Sequence, residues 1–253
     1  MRVVLTRPAA DAARWSSELV RRGHQVLALP LIDIGPLADM TPVRTAWTNL
    51  PKIQAAMFVS ANAVRHFMAA AGGTAWPAGT QAWATGPGTV AALHEARVPA
   101  AQIVAPRADA PQFDSEALWH EAAARVKPQW RVLIVRGAGS DGATGREWLA
   151  QQLQQAGAQV EQLAVYERRR PTWTEAQRAS ARDAAADGSV WLFSSSEAIA
   201  NLRALAPGVG WARARALATH ERIARAAREA GFGDVMQVRA TLDAVVRTLE
   251  SSR

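Results

Sequence analysis

Residues 159–171, with the sequence QVEQLAVYERRRP, decide the fold. The apolar residues at its start predict a strand, and Tyr166, the only tyrosine in the chain, lies where that strand ends. Three consecutive arginines and Pro171 follow. Open parallel sheets place their binding sites beyond the carboxyl ends of the strands, so a polar aromatic residue here predicts a site. A strand end followed by a solvated run of charge is the alternative.

The segments on both sides of this stretch repeat the first half of the chain. FVSANAV at 58–64 is matched by FSSSEAI at 193–199. Four residues of a helix–turn–strand segment also recur 134 positions later (153 − 19): Leu19, Gly23, Val26 and Leu29 correspond to Leu153, Gly157, Val160 and Leu163. A near-constant displacement indicates two homologous units. Because strand and helix patterns alternate, we expect two similar α/β lobes with parallel sheets, each Rossmann- or flavodoxin-like. A cleft between the lobes would be the natural binding site.

The order of patterns along the chain supports this fold. A strand at 2–8, a helix at 11–22 and a strand at 25–34 predict a parallel crossover, with Gly23 ending the helix and Pro30 interrupting the second strand. Residues 35–51 are rich in proline and lack periodicity, which is typical of a linker. Further strands are predicted at 55–60, 81–85 and 131–137, with helices from about 62 and at 89–97, 114–126 and 146–156.

Composition limits the function. The chain of 253 residues carries a net charge of +7, and its only lysines are Lys52 and Lys127. Arginine suits bidentate recognition of carboxylates and phosphates. Because the arginines are scattered and form no basic arm, a small polyanion is favoured over nucleic acid, although base-composition bias also enriches arginine. The absence of cysteine excludes disulfides, thiolate nucleophiles and Cys-ligated metals.

Location follows from the apolar pattern. Met1 leads straight into a strand pattern, and no apolar stretch reaches membrane-spanning length. We therefore expect a cytoplasmic protein without a membrane partner.

Two motifs suggest other chemistry. Residues 137–142 fit GxGxxG, and Glu161 follows at the distance of the dinucleotide fingerprint. Against a nucleotide site, the helix pattern begins only near Arg146, and the matching loop at 6–8 lacks glycine. The five histidines are dispersed without paired spacing, so no metal site is expected.

Polar residues at predicted strand-to-helix turns are candidate anion contacts. They can cap helices, or the helix starts that they mark can present backbone N–H groups to anions, and both roles are compatible. Arg7 and Arg136 end equivalent strands, so each is a candidate either for anion pairing or for a strand-end salt bridge. The polar candidates are Thr6, Ser60, Asn62, Thr89, Ser195 and Ser196.

Seven short motifs, in this order and spacing, carry a resemblance that runs along nearly the whole chain. They are LTRP (5–8), FVSANAV (58–64), ATGPGTVAAL (84–93), VLIVRG (132–137), VYERRRP (165–171), FSSSEAIANL (193–202) and THERIARAAREAGF (219–232). With them the chain resembles the uroporphyrinogen-III synthase family. It departs from the family pattern in an enlarged glycine-rich segment at 137–145 and in Ala61.

The resemblance implies an activity and a site. The family closes hydroxymethylbilane, a linear tetrapyrrole with eight carboxylates, into uroporphyrinogen III, inverting ring D with loss of water and using no cofactor or metal. Tyr166 matches the tyrosine proposed to assist the departing hydroxyl. Arg222, in the last motif, joins the substrate-binding candidates.

The resemblance also implies an organisation. One discontinuous domain would comprise residues 1–34 and 172–253, and the other residues 46–162, joined by two linker strands at 35–45 and 163–171. It implies a monomer, with transient contact to the preceding enzyme of the pathway. A two-lobed protein that binds small anions or nucleotides without catalysis is the alternative, since such proteins share the two-lobed architecture.

Overall fold

The computed structural model describes residues 1–138 and 143–251. Within these ranges, strands and helices alternate. In chain order the elements are β1 (Arg2–Leu5), α1 (Ala9–Arg21), β2 (Gln25–Ala28), β3 (Asp33–Gly35), α2 (Thr41–Asn49), β4 (Ala55–Phe58), α3 (Ala61–Ala69), β5 (Gln81–Ala84), α4 (Pro87–Glu95), β6 (Ile103–Val104), α5 (Ser115–Ala122), β7 (Arg131–Ala138), α6 (Ala143–Gln155), β8 (Gln159–Arg169), α7 (Glu175–Ala186), β9 (Val190–Phe193), α8 (Ser196–Leu205), β10 (Arg215–Ala218), α9 (Glu221–Glu229), β11 (Asp234–Gln237) and α10 (Leu242–Ser251).

The chain forms two compact units, and the first is discontinuous. It comprises Met1–Ile34 and the chain from Arg169 onward, and the second comprises Gly35–Arg168. The sheet of the first unit has the order β2-β1-β9-β10-β11. All of its neighbouring strands are parallel. Numbered within the unit this order is 2-1-3-4-5, which is the flavodoxin-like arrangement.

The second sheet follows the same plan with an exchange of segments. Its order is β3-β8-β7-β4-β5-β6, so β7 and β8 hold the places that β1 and β2 hold in the first sheet. β1, from the first half of the chain, thus pairs with β9 from the second half. In the other sheet β7, from the second half, pairs with β4 from the first. The mixed α/β fold with parallel sheets is confirmed.

Strands buried on both faces explain the apolar runs in the sequence. Every residue of β4 and of β9 is buried, as expected when helices cover both faces of a parallel sheet. In the first unit, Val4 and Trp191 belong to one core cluster, while Val3 and Leu5 belong to another. Successive side chains of β1 therefore pack alternately into two apolar layers.

The turns after α1 and α6 confirm the predicted helix ends. Gly23 and Gly157 have φ of 79° and 81°, a left-handed conformation that glycine adopts without steric cost. The strand predicted at 25–34 is shorter, since β2 ends at Ala28, ahead of Pro30. The backbone N–H groups of Leu29 and Leu31, on either side of Pro30, still donate to the carbonyls of Leu5 and Thr6.

Residues 35–51, predicted to form a linker, contain the regular helix α2. Val43 and Trp47 are buried on this helix, so its apolar spacing packs against the second unit. The predicted linker at 163–171 overlaps β8, which continues to Arg169 between β7 and β3. No helix within the described residues is long and apolar enough to cross a membrane.

Candidate active site

Tyr166 lies in β8 with only 3% of its surface exposed, and the strand, which the sequence predicted to end at this residue, continues to Arg169. Its hydroxyl oxygen is 3.2 Å from Oγ of Ser60. Ser60 is the N-cap of α3, and its Oγ accepts a hydrogen bond from the backbone N–H of Ala63 at 3.1 Å. Ser60 therefore both caps a helix and contacts the phenol hydroxyl, so its two expected roles are compatible.

An irregularity in β7 makes space for the tyrosine ring. The parallel register between β7 and β8 shifts at Arg136 and Gly137, which pair with Ala164 and Tyr166. A Cβ placed on Gly137 would lie 2.5 Å from Cε2 and 2.6 Å from Cζ of Tyr166. These distances are shorter than non-bonded carbon atoms tolerate, so only glycine fits under the ring as it stands.

His66 supplies another wall of the site. Its ring centroid lies 5.3 Å from that of Tyr166, with the two planes tilted by 33°. Burial, with a smaller contribution from the charge of Arg65, lowers the pKa of His66 below its usual value. The imidazole is therefore neutral at pH 7.

Sequence reasoning missed His66 and gave Gly137 another role. His66 lies six residues after Ser60 on the same helix, but a lone histidine at that spacing carries no motif. Gly137 was assigned to a GxGxxG motif, and residues 139–142 of that motif lie outside the described ranges. Glu161, the acidic residue of that fingerprint, forms an ion pair with Arg131 at 2.8 Å.

Three further candidates lie at the same edge of the second sheet. Nη1 of Arg136 donates to the carbonyl of Gly137 at 3.2 Å, and its Nε is buried without a partner among the described atoms. Asn62 is 9% exposed, and its Oδ1 accepts from Arg65 at 3.1 Å. Thr89 is 5% exposed in the first turn of α4. The Asn62 and Thr89 side chains are thus largely inside the fold.

The carboxyl edge of the first sheet carries two other candidates. Oγ1 of Thr6 donates to the carbonyl of Leu192 at 2.6 Å. The guanidinium of Arg7 lies 4.0 Å above the centroid of the Trp15 ring. Burial lowers the pKa of Arg7 to about 10, although the nearby carboxylate of Asp11 opposes the shift. Arg7 remains a cation at pH 7 and stacks on an aromatic face.

The remaining candidates lie at helix starts of the first unit. Ser195 is the N-cap of α8 without a side-chain capping bond, and Oγ of Ser196 is buried without a partner in the described chain. Arg222 is exposed in the first turn of α9. Its backbone N–H donates to Nδ1 of His220 at 3.1 Å, so His220 is the N-cap of α9.

The class of protein is now defined by its fold: two α/β units with parallel sheets and polar residues at their carboxyl edges. The family description "Uroporphyrinogen-III synthase HemD" matches residues 13–247. The chain belongs to the uroporphyrinogen-III synthase family, as its motifs predicted.

Individual relatives agree with this membership. A uroporphyrinogen-III synthase from Synechococcus elongatus is 28% identical over 172 residues, which is 67% of this chain and 61% of that protein. The alignment thus spans less than two thirds of the curated relative.

Two solved structures share the fold. A mutant uroporphyrinogen III synthase from the extremely thermophilic bacterium Thermus thermophilus is 16% identical with a TM-score of 0.59, covering 100% of this chain and 98% of that one. The uroporphyrinogen-III synthetase from Helicobacter pylori is 15% identical with a TM-score of 0.58, and both chains are covered completely, at 100%.

Proposed function

We propose that this protein is a uroporphyrinogen-III synthase that cyclises hydroxymethylbilane with loss of water and inversion of ring D. Membership of the family over residues 13–247 supports the reaction. The observation that carries the proposal is the hydrogen-bonded pair of Tyr166 and Ser60 at the carboxyl edge of the second sheet. A phenol at a sheet edge, beside a helix start, suits a reaction in which a hydroxyl group must depart.

The chemistry needs little from the protein beyond positioning and one proton. Loss of the terminal hydroxyl leaves an electrophilic azafulvene, which the substituted carbon of the last ring attacks to give a spiro intermediate. That intermediate fragments and closes again with the ring inverted. The pyrroles supply the electrons, so the protein must fold the substrate and assist the departing hydroxyl.

Either hydroxyl can be the donor in the bond between Ser60 and Tyr166. We propose that Ser60, whose Oγ accepts from Ala63, donates its own O–H to the oxygen of Tyr166. The proton of Tyr166 is then available for the departing hydroxyl. A phenol is a weak acid, so this assistance is partial.

The substrate carboxylates are proposed to meet backbone N–H groups at helix starts together with a few cations. Helix starts present N–H groups that lack intrahelical partners. Arg7 is a cation stacked on Trp15, and Arg136 has a buried Nε that its described neighbours leave unpaired. The proposed substrate-binding residues are Thr6, Arg7, Ser60, Asn62, Thr89, Arg136, Ser195, Ser196 and Arg222.

The test is to supply freshly prepared hydroxymethylbilane and to identify the porphyrin isomer after oxidation. We expect the type III isomer to accumulate in proportion to the protein. Spontaneous closure gives the symmetric isomer, so a reaction without protein is the control. Binding of the bilane with only the symmetric product would refute catalysis and favour a protein that binds small anions without turnover.

We extend the proposal to a cytoplasmic monomer without nucleic-acid or membrane partners, which contacts the preceding pathway enzyme only transiently. The scattered arginines support a small anionic substrate over nucleic acid. Light scattering on the purified protein, and fractionation of the cells that produce it, test the assembly state and the location. A stable dimer or a membrane-bound fraction would contradict this part.

A further inference from the structure

The ring of Tyr166 has two neighbours that no substrate contact requires. Ser60 meets its hydroxyl, but Gly137 and His66 lie against the ring itself. The two come from different elements, since Gly137 belongs to β7 and His66 to α3. Their contacts act on the orientation of the phenol.

We infer that Gly137 and His66 are positioning residues for Tyr166: the glycine leaves room for the ring where the register of β7 shifts, and the imidazole packs against that ring. The inference rests on the proposed function, because it assigns the purpose of this packing to the reaction of the Tyr166 hydroxyl.

The glycine argument is steric. With a Cβ at position 137, the nearest ring carbons of Tyr166 would be 2.5 Å and 2.6 Å away, and its hydroxyl oxygen 3.0 Å. Gly137 is not among the residues with positive φ, so its backbone admits alanine. The clash is therefore relieved only by moving the tyrosine ring or by parting β7 from β8. Either movement displaces the hydroxyl relative to Ser60.

The histidine argument is that one rigid element holds both parts of the phenol. Ser60 caps α3 and contacts the hydroxyl, and His66 on the same helix contacts the ring. The helix is anchored by the buried side chains of Val64 and Phe67. A side chain held on two sides by packed elements loses less freedom when the substrate arrives, which is how a supporting shell raises turnover.

The kinetic experiment compares Gly137→Ala and His66→Ala with matched controls. Gly79 is exposed, has open space around its Cβ position and lies in the same unit, and His94 is an exposed histidine in the last turn of α4. We expect kcat to fall about tenfold or more in both positioning variants, with KM little changed, because a displacement near 1 Å can cost on the order of 100-fold. Gly79→Ala and His94→Ala should retain the wild-type kcat.

A double variant tests whether Gly137 acts through Tyr166. If it does, Gly137→Ala should reduce kcat far less in a Tyr166→Phe protein than in the wild type, because the hydroxyl to be positioned is already absent. An equal fold-loss in both backgrounds would overturn the inference for Gly137.

A spectroscopic measurement is independent of activity. Because Tyr166 is the only tyrosine, incorporation of 3-fluorotyrosine places a single fluorine label in the protein. We expect both positioning variants to shift or broaden the fluorine resonance, and both controls to leave it in place. An unchanged resonance in Gly137→Ala and His66→Ala would overturn the inference.

The two proposals fail in different ways. If the wild type forms no type III isomer, the proposed function fails, while the fluorine resonance still shows whether Gly137 and His66 position the ring. If the wild type is active and both variants keep its kcat, the positioning inference fails alone. Should Gly137→Ala not fold, the half-buried His66 still permits the test through His66→Ala.

Discussion

The carboxyl edges of the two sheets have the same plan but different chemistry. Ser60 and Ser195 are equivalent in the repeat, and each is the N-cap of the helix that follows a central strand. Ser60 makes a capping bond and contacts Tyr166, whereas the side chain of Ser195 makes no capping bond. The serine of one helix start thus contacts both the helix and the hydroxyl of Tyr166, while the serine of its counterpart makes no capping bond.

The strands beside these two helix starts also differ in length. With the displacement of 134 positions between the repeats (153 − 19), Ile32 is equivalent to Tyr166 and Pro30 is equivalent to Ala164. β2 ends ahead of Pro30 and Ile32 is buried in the core of the first unit, while β8 passes through Ala164 to Tyr166 and beyond. The first repeat therefore has no strand at the position where the second carries its phenol.

The largest expected effect of a change at these equivalent positions is at Tyr166. Tyr166→Phe keeps the ring and removes the hydrogen bond to Ser60, so we expect kcat to fall about 10- to 100-fold and the share of symmetric isomer to rise. The measurement is kcat with isomer analysis. The matched variant Ile32→Val should lower the free energy of unfolding by about 0.5–1.5 kcal/mol without affecting kcat. Wild-type turnover in Tyr166→Phe would leave the tyrosine with a packing role alone.

A smaller effect should separate the two serine caps. Ser60→Ala removes the bond to Ala63 and the partner of the Tyr166 hydroxyl, so we expect the free energy of unfolding to fall by about 1–2 kcal/mol. Ser195→Ala should cost no capping energy, because the side chain of Ser195 makes no capping bond. Denaturant unfolding of the two variants measures the difference. Equal losses would mean that the two helix starts are energetically alike.

The smallest effect concerns pH. His66 and Asn201 are equivalent in the repeat; His66 contacts Tyr166, while the amide of Asn201 donates to the carbonyl of Leu31 at 2.8 Å. Burial lowers the pKa of His66 in the folded chain. Between that lowered pKa and about 6.5, His66 is therefore protonated in the unfolded chain and neutral in the folded chain. The stability contributed by neutral His66 is therefore fully present above this window and is lost as the pH falls through it.

The check is the pH dependence of the unfolding free energy in wild type and His66→Phe. We expect the substitution to reduce the slope in that window. Asn201→Ala, at the equivalent position, should leave the slope as it is, because an amide does not titrate. An identical slope in wild type and His66→Phe would contradict the pKa shift.

Much of the fold follows from local patterns. The apolar runs at β4, β5 and β7, the glycine after α1 and the serine before α3 each identify an element, because burial and capping have characteristic spacing. The sequence did not predict helix α2, because its two buried residues, Val43 and Trp47, lie in a segment whose prolines are typical of a linker. The ring contacts of Tyr166 also escaped, because a clearance under a side chain and a ring packed from another helix leave no periodic trace.

The sequence by itself determined the family, the two homologous repeats and the strand that carries the single tyrosine, although that strand continues past Tyr166 to Arg169. Only the tertiary structure decided that β1 pairs with β9 and β4 with β7, exchanging segments between the repeats. The repeats have nearly the same strands, so pairing within a repeat and pairing across repeats satisfy the same apolar patterns. Long-range packing decided between the two pairings. It also brought Ser60 and His66, from α3, and Gly137, from β7, against the phenol of Tyr166.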